Sequence, residues 1–220
     1  MGGYGKICRL RARKGNYHDG QRIGPGEPWE SVWFQLGLAP LPLEALLPAY
    51  RRFLLDAICE EPESRRPYIF YNTWNHQERN KYFRGRPYLE SMNHERLTAE
   101  IEVAQKIGID VFVIDTGWYH KTGDWQVNLD RFPDGLREVK RRLDGYGMKL
   151  GLWFNPTVAA LTSEIYRRHP EYEMTKGTAP VWRGPVWETE ESTSICLASD
   201  YADHYIEAMV RLHSELGVSY

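Results

Sequence analysis

Three apolar runs constrain this chain more than any other feature. They are Tyr68-Ile69-Phe70-Tyr71-Asn72, Ile109-Asp110-Val111-Phe112-Val113-Ile114-Asp115 and Met148-Lys149-Leu150-Gly151-Leu152-Trp153-Phe154, and their starts lie 41 and 39 residues apart. Each has the length of a strand and reads as buried. Between and after them come stretches with apolar residues at helical spacing: Asn93 to Ile107 with Asn93 as a cap candidate, Asp134 to Tyr146, Leu161 to Arg168 and Tyr201 to Leu216. Gly217 to Tyr220 reads as the start of a fourth strand. Alternating units of this kind imply a parallel sheet covered by helices. Glycine-rich phosphate fingerprints are missing after the strands, which disfavours a nucleotide-binding version, so a closed barrel is preferred. Three strands alone cannot close one.

The residues before this region have a different texture. Up to about residue 40 short extended segments alternate with turns such as Gly24-Pro25-Gly26-Glu27-Pro28, and Leu43 to Cys59 reads as a helix. The polar, proline-bearing Glu60 to Pro67 reads as a linker.

Charge and cysteine content narrow the function classes. A formal net charge of −2 over 220 residues gives no footprint for nucleic acid or an acidic membrane. Cys8, Cys59 and Cys196 lack disulfide or zinc spacing and read as buried thiols. No metal or other cofactor is expected, and His76, His94 and His120 read as surface or loop histidines because no ligand or carboxylate stands at a matching spacing. Without a signal sequence or an apolar span, the sequence favours a soluble, cytoplasmic chain over a secreted one.

Chemistry should gather where the strands end. In parallel α/β architectures reacting groups sit at the carboxyl ends of strands. Here those ends read Asn72-Thr73-Trp74-Asn75-His76, Asp115-Thr116-Gly117-Trp118-Tyr119 and Trp153-Phe154-Asn155-Pro156. Each offers a tryptophan beside a hydrogen-bonding side chain, the pairing that grips a sugar: an aromatic face for its C–H surface and fixed partners for its hydroxyls. Asp115 stands out as a carboxylate ending an apolar strand. Gly123-Asp124-Trp125 either folds over the pocket or forms a simple turn, and the arginine-rich run from Arg137 to Arg142 reads as a solvated helix face.

Taken in order, several motifs resemble the melibiase-type α-galactosidases, glycoside hydrolase family 36. They are Tyr71-Asn72-Thr73-Trp74, Val113-Ile114-Asp115-Thr116-Gly117-Trp118-Tyr119, Gly123-Asp124-Trp125, Arg131 to Leu136, Gly147 to Pro156, His169-Pro170-Glu171 and Glu215 to Tyr220. The resemblance implies a (β/α)₈ TIM barrel of which residues 61–220 hold the first three strands and the start of the fourth, preceded in residues 1–60 by the tail of a β-sandwich domain and its linking helix. It implies a retaining mechanism with two carboxylates about 5 to 5.5 Å apart. The family's nucleophile follows a segment like Leu216-Gly217-Val218-Ser219-Tyr220, so both reacting carboxylates are expected beyond Tyr220. Carried over residue by residue, the substrate-binding set is Trp74, Asp115, Thr116, Trp118, Trp153 and Asn155. Two departures bear on specificity: Thr116 stands where the family usually has a second aspartate, and Asn155-Pro156-Thr157 replaces a common Glu-Pro-Glu. The expected ligand is an oligosaccharide or other glycoside, with no nucleic acid or membrane partner. Galactosyl transfer of the raffinose-synthase type, a noncatalytic carbohydrate-binding role and a homo-oligomeric parent stay open as alternatives.

Overall fold

The computed structural model describes residues 24–26, 40, 42–186 and 190–220. The chain divides into two compact units, Met1–Arg65 and Arg66–Tyr220. In the first unit, the helix expected at Leu43 forms as α1 (Leu43–Phe53), and its last residues pass into a wider π-type turn over Leu54–Ile58. The extended segments expected before residue 40 lie almost entirely outside the described residues, as does Cys8.

The second unit is α/β. Its elements run β1 (Phe70–Asn72), α2 (Trp74–Glu78), α3 (His94–Ile107), β2 (Val111–Ile114), α4 (Arg137–Gly145) and β3 (Lys149–Leu152). These three strands form a parallel sheet in the order β1-β2-β3, with Asn72 level with Val113, and Val113 level with Gly151. Side chains alternate across a strand. Tyr71, Phe112, Ile114, Leu150 and Leu152 therefore point one way, and pack on Leu97, Ile101 and Ala104 of α3 and Val139 and Leu143 of α4. Residues visible in the sequence fix both ends of α3 and the start of α4. Asn93 caps α3, its side-chain oxygen accepting from the Arg96 N–H at 3.0 Å, and Gly108 ends it with φ 75°. The Asp134 carboxylate accepts from the Leu136 and Glu138 N–H groups at 3.2 and 2.7 Å, seating the start of α4.

After β3 come β4 (Val158–Ala160), α5 (Glu164–Arg168), β5 (Thr175–Lys176), β6 (Ala179–Pro180), β7 (Arg183–Pro185), β8 (Glu191–Ser194) and α6 (Tyr201–Leu216). Strands β4, β8 and β7 make a small antiparallel sheet, and β5 and β6 a hairpin. The segment expected as a fourth strand is not itself a strand, but it takes the place beside β3. Ser219 N–H donates to Leu150 O, and Leu152 N–H to Tyr220 O, both at 3.0 Å.

Two expectations are corrected. Tyr68, Ile69 and Phe70 are exposed rather than buried, because β1 pairs with β2 alone among the described strands and only Tyr71 of this run packs on the core beneath the helices. Cys59 and Cys196 are half-buried, each a free thiol.

Gly123-Asp124-Trp125 is a turn that ties the exit of β2 to the antiparallel sheet. The Asp124 carboxylate accepts from the Glu164 and Ile165 N–H groups, both at 2.9 Å, capping α5. Gly123 has φ 103°, and a Cβ there would lie 2.7 Å from Ala159 Cβ, which is itself fully buried. Strain and overlap act together. Gly123→Ala is expected to cost about 2 kcal/mol, read as a lower denaturant midpoint at unchanged slope. An unaltered midpoint would mean the turn relaxes freely.

Candidate functional site

Register decides which residues can share a pocket. Asn72 is level with Val113 and Gly151, and two residues further along, just past the ends of β2 and β3, stand Asp115 and Trp153. The ladder continues that far, since Trp153 N–H donates to Ile114 O at 2.9 Å. The acid and the amide thus stand together at the end of the sheet where the β3 exit carries an indole.

A short hydrogen-bond chain sets the acid. Asn72 Nδ2 donates to Asp115 Oδ2 at 2.9 Å, while Asn72 Oδ1 accepts from the Trp74 N–H at 2.7 Å. Both ends of the amide are used, which fixes its orientation. Thr116 N–H donates to Asp115 Oδ1 at 2.7 Å, and Thr73 Oγ1 accepts from the Asp115 N–H at 2.9 Å. Asp115 is only 5% exposed. Burial raises its pKa above the ordinary aspartate range, against the opposing pull of the Thr116 N–H and the Asn72 amide. Asn72 was legible as a strand-end residue, but its grip on Asp115 required the register.

The exit of β1 is not a loop. Trp74 to Glu78 form the single turn α2, with Gln77 Nε2 donating to Thr116 O at 2.8 Å. His76 is buried, correcting its reading as a surface or loop histidine. Its Nδ1 lies 3.1 Å from Glu100 Oε1, and its Nε2 lies 3.2 Å from Asn80 Nδ2. Glu100 also accepts from Tyr71 Oη at 2.9 Å and Arg96 Nε at 2.6 Å. Burial alone would raise the Glu100 pKa, but the bonds to His76 and Arg96 together outweigh it and hold the carboxyl below its usual range. No residue spacing marks this pair in advance, because its members sit on different helices.

The six residues expected to bind substrate divide into two groups. Trp74, Trp153 and Asn155 are half-buried, and Asp115 lies among them at the strand ends. Asn155 Oδ1 accepts from Thr157 Oγ1 at 3.0 Å, closing the turn around Pro156. Thr116 and Trp118 have no exposed surface. The Thr116 hydroxyl is paired with the Tyr119 hydroxyl. Trp118 packs against Trp125, Tyr119 and Phe154 at centroid distances of 6.3, 5.3 and 5.2 Å, and its Nε1 donates to Trp153 O at 2.8 Å. As placed, neither presents a side chain to a ligand. They back the site from the core: Trp118 belongs to the buried apolar cluster against which Phe154 packs.

Two cavities lie away from these residues. One of about 300 Å³ is lined by Tyr71 and α3, and one of about 470 Å³ by Asp124, His169, Asp200 and their neighbours. No group of three or more His, Cys, Asp or Glu side chains among the described residues is placed to hold a metal, and no described helix is long and apolar enough to cross a membrane.

A parallel α/β sheet with its polar groups at the carboxyl ends of the strands is the class of domain that comparison with known proteins returns as well. The sequence model for Melibiase matches residues 57–220, and the chain belongs to that family. It is 36% identical over 89 residues to the α-galactosidase Mel36A of Lactobacillus acidophilus, covering 37% of this chain and 12% of that protein. An α-galactosidase of Escherichia coli is 30% identical over 138 residues, covering 59% and 18% respectively. Among solved structures, the GH36 α-galactosidase AgaB from Geobacillus stearothermophilus superposes with a TM-score of 0.57 at 26% identity, over 71% of this chain and 20% of that one. The chain therefore spans about a fifth or less of the length of these relatives.

Proposed function

We propose that this chain supplies the galactose-holding part of a retaining α-galactosidase, and that β1, β2 and β3 are the first strands of its (β/α)₈ barrel. Residues up to about 60 belong to the preceding β-sandwich domain in this reading. The observation that carries it is the Asn72 amide holding the Asp115 carboxylate at the ends of β1 and β2, with Trp153 at the matching end of β3. A carboxylate has about four lone-pair positions. Thr116 N–H and Asn72 Nδ2 engage one on each oxygen, and the others face ring hydroxyls. Trp74 and Trp153 offer apolar faces to the sugar. Trp118 and Thr116 act from behind by fixing the backbone that carries them.

Retaining cleavage needs two carboxylates about 5 to 5.5 Å apart. The three strand ends carry a single one, Asp115, and its bonds suit it to bind rather than attack. The reacting pair belongs to residues outside this chain. With Thr116 buried where the family usually has an acid, the pocket has one charged hydroxyl acceptor here, and discrimination among epimers should be weaker.

The test is the product of the complete gene acting on an aryl α-galactoside, with the anomeric configuration followed by proton NMR. Release of α-configured galactose is expected. Initial release of the β-anomer would exclude the retaining mechanism, and sugar binding without cleavage would favour a noncatalytic protein.

A further inference from the structure

Asp115 takes one donor on each carboxylate oxygen, Asn72 Nδ2 on Oδ2 at 2.9 Å and the Thr116 N–H on Oδ1 at 2.7 Å. Both donor residues are tied to α2. The Trp74 N–H donates to Asn72 Oδ1 at 2.7 Å, and Gln77 Nε2 donates to Thr116 O at 2.8 Å. The aim of the acid therefore depends on where a helix of five residues sits. So short a helix draws its stability from packing rather than from its own hydrogen bonds.

Its fastening to α3 is polar. His76, buried on α2, has Nδ1 3.1 Å from Glu100 Oε1 on α3. Its Nε2 lies 3.2 Å from Asn80 Nδ2, an amide nitrogen that also donates to Ser91 Oγ at 3.3 Å. A ring nitrogen opposite an amide N–H accepts, which leaves the imidazole proton on Nδ1, on the side of the carboxylate. The Glu100 side chain is 10% exposed, and it also accepts from Arg96 Nε at 2.6 Å and from Tyr71 Oη at 2.9 Å. Burying a carboxylate costs more than burying an apolar side chain of similar volume. What it supplies is direction: contacts from β1, α2 and α3 converge on one group, and none can slide without losing its partner.

We infer that Glu100 and His76 are positioning residues for the sugar site, acting through α2 on the two donors of Asp115 without touching the ligand. This rests on the reading of Asp115 as the galactose anchor.

Calorimetric titration with galactose, on variants shown by denaturation to be folded, tests it. Glu100→Ala and His76→Ala are each expected to weaken binding about tenfold, and the double variant no further, because both cut one link. Glu100→Gln keeps the shape and an oxygen for His76, and should hold affinity within about twofold of the wild type. Tyr71→Phe removes a Glu100 bond that leads away from α2, so it should lower the denaturation midpoint and leave affinity as it was. Should Glu100→Ala not fold, loss in His76→Ala and retention in Glu100→Gln decide the matter. Unaltered affinity in folded His76→Ala, with binding still lost in Asp115→Asn, would overturn the positioning role and leave the Asp115 site standing. Losses that multiply in the double variant, or that persist in Glu100→Gln, would overturn it too. Binding indifferent to Asp115→Asn, or absent from the wild-type chain, would overturn the anchor and the positioning role together.

Discussion

Replacing Trp118 by alanine should lower the unfolding free energy by about 3 to 5 kcal/mol, the cost of removing a large ring from a closed core. Trp118 has no exposed surface and touches Trp125, Tyr119 and Phe154, so no neighbour is free to fill the space. The change also strips the Trp153 carbonyl of its donor, which adds a desolvation penalty. Against a total stability of about 5 to 15 kcal/mol, this is a large fraction. Trp118→Phe separates the two effects: it keeps much of the volume and loses the bond, and should cost about 1 to 3 kcal/mol. Chemical denaturation with matched slopes reads both. A Trp118→Ala chain as stable as the wild type would show that the indole is not a core element at all, and would return it to the pocket.

The second large effect concerns Asp115. Asp115→Asn should weaken galactose binding by about a hundredfold, since charged acceptor bonds to hydroxyls are lost along with the orientation set by Asn72. Its influence on stability has the opposite sign at neutral pH. An acid whose folded pKa is raised contributes stability below its unfolded pKa, and that contribution disappears as pH rises through the folded value. Burial raises the Asp115 carboxyl, so its ionised form costs the native state at neutrality. The melting temperature of Asp115→Asn should therefore gain on that of the wild type as pH climbs from the acid range towards neutrality. Wild-type sugar affinity should fall on acidification at a pH above that of an ordinary aspartate, and the variant should show no such fall. Equal affinity in the two proteins across that range would remove Asp115 from the site.

Much of the frame could be read from residue order. Val111–Ile114 is a run of four apolar residues, and α6 matches the expected span because its apolar spacing is unbroken and Gly217 stops it with φ 68°. The small strands escaped notice for physical reasons. Thr175–Lys176 and Glu191–Ser194 are too short and polar to alternate, and pairing with other strands, not local pattern, makes them strands. Trp74 and Trp118 both follow strand ends among polar residues. Only packing distinguishes the half-buried ring from the wholly enclosed one. His76 shows the same limit, since its acid lies on α3 and no spacing rule spans that separation.

Thr73 and Gln77 each bond to the backbone of the neighbouring strand's exit, one at Asp115 and the other at Thr116. The rims of the first two strands are thereby clamped into a single plate. A shift of either would carry the other with it, so this edge of the molecule should move as one body rather than residue by residue.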